Sequence, residues 1–206
     1  MKDYPSIPRA NGQAFRFIPW AYLFSKLDGS MVRAQYSKKQ GFYKFGTKTC
    51  LMDTTTPIFG EAIPLFFDTW AEPLTRIFKD NRWNDAIVFC EFYGAQSFAG
   101  IHVPNDPKRL SLFDVDVDKR GIMGPRDFLK HFEKLPIADF LGIQNWNREL
   151  IEMIYESILP GVSFEGVVGK AGEGHQRITA KAKTKRWLDA VKARYNEKDA
   201  EKIINS

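Results

Sequence analysis

At 206 residues with 44% hydrophobic content, the chain is long enough to bury a sizeable core, and its formal net charge of +5 favours a polyanionic partner without requiring one. Cys50 and Cys90 are too few and too far apart for a disulfide framework or a zinc-binding pair, which points to a reducing compartment. The leading MKDYPSIPRANGQ lacks a signal-peptide core and no stretch approaches the ~18 apolar residues of a membrane span, so a cytosolic protein with no membrane partner is expected.

In chain order, residues 15–24 (FRFIPWAYLF) predict a buried aromatic strand or a pair of short strands, followed by strands at 30–36 and 41–45 on the far side of a turn at Asp28 and Gly29. Apolar residues from Phe59 to Phe78 recur at helical spacing, with Pro64 and Pro73 predicting a kink or two shorter helices. The run at 86–93 (AIVFCEFY) predicts a strand buried on both faces and interrupted by Glu91, and 110–117 predicts another that ends in acids. Helical spacing marks 128–135 and 150–158. Strands at 163–169 and 177–185 then lead into a helix with the stripe Trp187, Leu188, Val191 and Tyr195, and the polar NEKDAEKIINS is expected to fray. Strands outnumber helices without regular alternation, so the fold class is α+β with mainly antiparallel sheets flanked by helices, a single domain over 1–206.

Five short stretches carry candidate chemistry. Lys26, in SKLDGS at the end of an apolar strand, is either a nucleophile or a solvated turn lysine. Attack on phosphorus needs its neutral amine, about one molecule in two thousand near pH 7 at an unperturbed pKa, so such a site must favour that form. Glu91, alone in an apolar strand, needs a cation or several donors around it, as a ligand group or in a structural salt bridge. Glu165, in FEGVVGK, repeats the theme; alternation is expected to put Ser163, Glu165 and Val167 on one face, with Gly166 admitting a close neighbour. Two such carboxylates suit a divalent metal, or one of them a ribose hydroxyl.

In TAKAKTK an extended backbone places Lys181, Lys183 and Lys185 on one face, as phosphate binding requires and as a solvated strand also would. Phe113, in SLFDVDV, is a ring for base stacking or for the core, and Asp114, Asp116 and Asp118 are explained by an edge strand rather than by a calcium loop. GKAGEGHQ lacks P-loop spacing and reads as a hairpin loop, and the scattered histidines form no metal pair or triad.

Taken in order, KLDG, FCEFYG, LFDVDV, FEGVVGK and AKAKTK resemble the motifs of the covalent nucleotidyltransferases, the superfamily of ATP-dependent ligases and mRNA capping enzymes, and most closely those of RNA ligases. The resemblance spans roughly residues 20–187 and implies an ATP-grasp-like ligase catalytic domain. It implies that Lys26 takes AMP from ATP as a lysyl-phosphoramidate, with Asp28 and Gly29 shaping the loop. Glu91 would support the ribose or the metal, and Phe113 would stack on the purine. Glu165 would assist Mg²⁺ or Mn²⁺ while the valines Val167 and Val168 pack near the base, and Lys181 and Lys183 would contact phosphate.

The position five beyond the nucleophile, an arginine in DNA ligases, is Met31, with Arg33 two further along. A further phosphate contact falls to Arg33, Lys44 or Lys48. About 20 residues follow the fifth motif, too few for the OB-fold domain of DNA ligases and capping enzymes. The expectation is a minimal, monomeric RNA ligase. It would join 5′-phosphate and 3′-hydroxyl RNA ends through an adenylylated 5′ end, with Lys38, Lys39, Lys185 and Arg186 as candidate backbone contacts. A DNA ligase, a guanylyltransferase and a non-catalytic RNA-binding module of the same fold are the alternatives.

Overall fold

In the computed structural model the described residues are 1–10, 17–95 and 102–205. Their strands are β1 (Ile18–Lys26), β2 (Gly29–Ser37), β3 (Gly41–Thr47), β4 (Leu51–Met52), β5 (Asp85–Tyr93), β6 (Arg109–Val117), β7 (Gly121–Ile122), β8 (Phe140–Trp146), β9 (Gly166–Ala171) and β10 (Ile178–Lys183). The helices are α1 (Ala62–Phe66), α2 (Glu72–Asp80), α3 (Pro125–Phe132), α4 (Arg148–Tyr155), α5 (Lys185–Arg194) and α6 (Glu197–Asn205). The fold class is α+β, with antiparallel sheets flanked by helices. Two compact units make up the stretch read above as one domain: Met1–Pro5 with Gly29–Ile137, and Ser6–Asp28 with Ala138–Ser206.

The first unit holds a six-stranded sheet in the order β4-β3-β2-β5-β6-β7. Alternation along β2 and β5 sends Tyr36, Ala34, Val88, Cys90 and Phe92 to one face, where Phe66, Trp70, Leu74 and Phe78 of the helical stretch pack. The kink expected there is a π-helical segment, Phe67–Ala71, between α1 and α2. It lies directly before Pro73, whose missing N–H and bulky ring disrupt the regular ladder one turn back. Trp70 stays satisfied because its indole N–H donates to the Leu110 carbonyl at 3.3 Å.

The opposite face of this sheet carries Arg33, Glu91 and, at a bulge in β6, Phe113. Asp114 and Asp116 are buried here, although only the two-residue β7 flanks β6 on its outer side. The N-terminal segment satisfies them: Tyr4 Oη donates to Asp114 at 2.5 Å and Lys2 Nζ to Asp116 at 2.6 Å. Partners more than a hundred residues away cannot be read from local pattern.

The second unit holds a four-stranded sheet in the order β10-β9-β1-β8. One face is apolar: Ala21, Leu23, Val167, Ala180 and Ala182 pack with Trp146, Leu150 and Ile154 in a single buried cluster. Strand β8 was not expected, because Gly142 and the exposed Ile143, Gln144 and Asn145 hide any alternation. The C-terminal NEKDAEKIINS does not fray into coil over the described residues; it forms α6, anchored by buried Ala200 and Ile204. Residues 15 and 16 of the first expected strand lie outside the described residues.

Candidate active site

Cross-strand register builds the site. On the face of the four-stranded sheet opposite its core, the rows run Tyr22–Lys170–Thr179, Phe24–Val168–Lys181 and Lys26–Gly166–Lys183. Period-2 alternation therefore gathers Lys26, Lys170, Lys181 and Lys183 on one face. Three of these lysines, all but Lys26, are buried. Lys170 stands over the Phe24 ring, with Nζ 4.8 Å from its centroid.

Gly166 is the reason the third row closes. Its φ is +147°, and a Cβ there would overlap the Ala182 carbonyl, so only glycine lets β9 and β10 meet at this point. With no side chain between them, the lysines on either side reach toward each other. Glu165 stands between them: its Oε1 is 2.9 Å from Lys26 Nζ and 3.1 Å from Lys183 Nζ. The Glu165 side chain is 5% exposed, that of Lys183 2% and that of Lys26 20%, so the accessible member of the cluster is Lys26. A buried carboxylate held by two ammonium groups meets the requirement that burial imposes on a charge.

Lys183 is held from several sides. The Trp187 ring lies beneath its ammonium at 3.9 Å, and the carbonyl of Ile203 at the end of α6 accepts from it at 3.4 Å. Burial lowers its pKa to about 8; the positive charges of Lys26 and Arg9 push the same way, and Glu165 opposes them.

Among the residues expected from sequence, Lys26, Glu165, Lys181 and Lys183 are thus brought together in one unit. Val167 is not with them: it is fully buried in the core cluster on the other face, and the valine on the lysine face is Val168. The reason is that alternation begins only at Gly166, where β9 starts, so Glu165 does not share a face with Val167 by strand periodicity. Lys185 likewise leaves the strand pattern, as the first residue of α5. Lys170 is not among the residues expected from sequence, because its place on this face follows from its pairing with Tyr22 and Thr179.

Gly29, Arg33, Lys44, Glu91 and Phe113 belong to the other unit. Gly29 begins β2 opposite Tyr93, where a Cβ would overlap the Phe92 carbonyl. Arg33 is buried, and its guanidinium donates to the Thr47 carbonyl at 2.7 Å, the Lys2 carbonyl at 2.9 Å and Asp3 at 2.5 Å. Glu91 is half-buried in the row Met31–Glu91–Ser111. Phe113 lies 5.3 Å from Tyr4, edge to face, and 6.3 Å from Phe89. Lys44 pairs with Gln35 across β2 and β3, with its ammonium 5.8 Å from the Tyr43 ring. Asp28 is buried at the end of the second unit's first segment.

Among the described residues no cluster of three or more acids, histidines or cysteines could hold a metal by itself. In the second unit Glu165 offers one carboxylate. That fits Mg²⁺, which is commonly held by one or two carboxylates together with substrate phosphates, and does not fit a self-sufficient protein cage. No helix among the described residues is long and apolar enough to cross a membrane.

No protein-family model matches the chain, and no curated protein matches it. Solved structures do. A putative ATP-dependent DNA ligase from Aquifex aeolicus aligns at a TM-score of 0.65 and 19% identity, covering 100% of this chain and 58% of that one. An archaeal ATP-dependent RNA ligase aligns at 0.66 and 14%, covering 92% and 50%. A mutant RNA ligase from Naegleria gruberi, solved with AMP and Mn, aligns at 0.63 and 16%, covering 84% and 52%. This chain therefore spans about half the length of the proteins it matches. Its fold is that of the nucleotidyltransferase domain of ATP-dependent ligases.

Proposed function

We propose that this chain is an ATP-dependent RNA ligase whose nucleophile is Lys26. The observation that carries the reading is the bridging of Lys26 and Lys183 by one carboxylate, on a sheet face that also presents Lys170 and Lys181. Several ammonium groups with a reachable lysine among them suit a polyphosphate whose phosphorus is to be attacked.

At rest, Glu165 holds Lys26 as an ammonium ion, which has no lone pair to donate. ATP would bring its phosphates to the lysine face, where Lys181 and Lys183 neutralise oxygens as charge builds during displacement. Lys26 gives a proton to the solvent that its 20% exposed side chain meets, its nitrogen forms a bond to the α-phosphorus, and the bond from that phosphorus to pyrophosphate breaks, pyrophosphate leaving with the electron pair. The 5′-phosphate of a nucleic-acid end then displaces the lysine and carries AMP away, and a 3′-hydroxyl expels AMP to seal the strand. Glu165 would hold Mg²⁺ in its own unit, Glu91 being the candidate in the other, and the ion would supply charge neutralisation. Phe113 keeps the purine-stacking role implied by the motif order, and of the two valines Val168 keeps the packing role. Support for RNA over DNA comes from the RNA ligases among the matched folds; the DNA ligase match keeps DNA as the competing substrate.

Labelling the protein with ATP carrying a radioactive α-phosphate, then adding 5′-phosphorylated RNA or DNA ends, tests this directly. Label should pass from protein to RNA ends and be released on sealing. Failure to transfer from a labelled protein would end the ligase reading, preference for DNA would replace the substrate, and labelling by GTP alone would point to a guanylyltransferase.

A further inference from the structure

Glu165 precedes β9, so the segment that carries it is fixed by other means, and two hydroxyl groups supply them. Ser163 Oγ lies 2.6 Å from the Lys26 carbonyl and 2.7 Å from the Gly166 carbonyl, and accepts from the Gly166 N–H at 3.2 Å. Its one proton serves either carbonyl, while the oxygen holds the amide. The strand end that bears Lys26 is thereby tied to the turn that bears Glu165.

Thr184 grips the same turn from the other side. This residue is fully buried. Its hydroxyl donates to the Phe164 carbonyl at 2.6 Å and its backbone N–H to the Glu165 carbonyl at 3.0 Å. The same oxygen accepts from the Trp187 N–H at 3.2 Å, capping α5. Trp187 is the ring beneath the Lys183 ammonium. Thr184 therefore sets both groups that flank Lys183, the carboxylate of Glu165 and the indole of Trp187. Arg186 adds a further hold by donating to the Ser163 carbonyl at 3.0 Å.

We propose that Thr184 and Ser163 are positioning residues that keep Glu165 on Lys26 and Lys183, and that the reaction depends on the Thr184 hydroxyl rather than on the bulk of its side chain. The proposal rests on adenylylation of Lys26 as its functional readout. A small displacement of Glu165 would separate the nucleophile from the phosphate-facing cations, and misplacements of about 1 Å in such sites cost on the order of a hundredfold in rate.

Thr184→Val keeps the shape and removes the hydroxyl, Thr184→Ser keeps the hydroxyl, and Ser163→Ala removes the other tie without touching a helix cap. Single-turnover adenylylation should fall roughly ten- to a hundredfold at saturating ATP in Thr184→Val and Ser163→Ala, with KM for ATP little changed, and Thr184→Ser should restore it. Amide hydrogen exchange provides a readout that needs no turnover. Exchange at Gly166 should accelerate in Thr184→Val and Ser163→Ala while Val168 and Ala182 keep their protection. A wild-type rate at saturating ATP in both variants, or uniformly faster exchange across the sheet, would overturn the proposal and leave Thr184 as a helix cap and fold-stabilising residue. If the wild-type protein takes no label, the functional reading fails, and the exchange pattern still decides whether the two hydroxyls hold the turn.

Discussion

Lys183 carries a positive charge at neutral pH only by a modest margin. Its pKa of about 8 is the result of burial first and of the neighbouring cations second. In the unfolded chain an unshielded lysine titrates at ~10.4. The native state therefore loses this proton first, and the unfolded chain holds more protons between the two values. Stability consequently rises with pH through that window, and the burial penalty is fully present below pH 8. Function runs the opposite way, because a neutral amine attracts phosphate less. Affinity for ATP is expected to weaken as pH rises past 8 in the wild-type protein, and Lys183→Met should bind more weakly and show no bend there, as titration calorimetry across that range would show. At this scale Lys26, Glu165, Lys181 and Lys183 were legible in the sequence, because strand ends and alternating lysines are local patterns. The roles of Lys170, Ser163 and Thr184 depend on which residue lies opposite which, and register is not written in any one strand.

Between β9 and β10 the decisive feature is one residue wide. Gly166→Ala would force a Cβ against the Ala182 carbonyl and strain a φ of +147°. The expected cost is about 1–3 kcal/mol, measured by urea unfolding, together with loss of lysine labelling, since the row that pairs Lys26 with Lys183 would open. Elements with strong period were readable: β2, β3, β5 and β6 fall where alternation and apolar runs put them. Strand β8 was not, since Gly142 and a run of exposed residues erase its pattern. Helix α6 was missed for a different reason. Its sequence is mostly polar, and the few apolar residues that anchor it, Ala200 and Ile204, matter only once a surface exists to receive them. Ile204→Ala should therefore cost about 2 kcal/mol or more by chemical denaturation, as expected for a buried isoleucine.

For the whole molecule, the five motifs divide between the two units, with the lysine cluster in one and Glu91, Phe113 and Arg33 in the other. Motif order suggested a single nucleotidyltransferase domain, and the fold matches that of ligase domains roughly twice as long in their full chains. The N-terminal segment is part of the first unit rather than a loose end: Lys2, Asp3 and Tyr4 meet Asp116, Arg33 and Asp114. Composition gave no hint of this. The proposed function requires that Lys26 accept a nucleotide. Intact-mass measurement after incubation with ATP and Mg²⁺ should find the wild-type protein heavier by one AMP, released by acid as a phosphoramidate is, and Lys26→Ala unchanged. An unmodified wild-type protein, or a Lys26→Ala protein that still gains AMP, would contradict it.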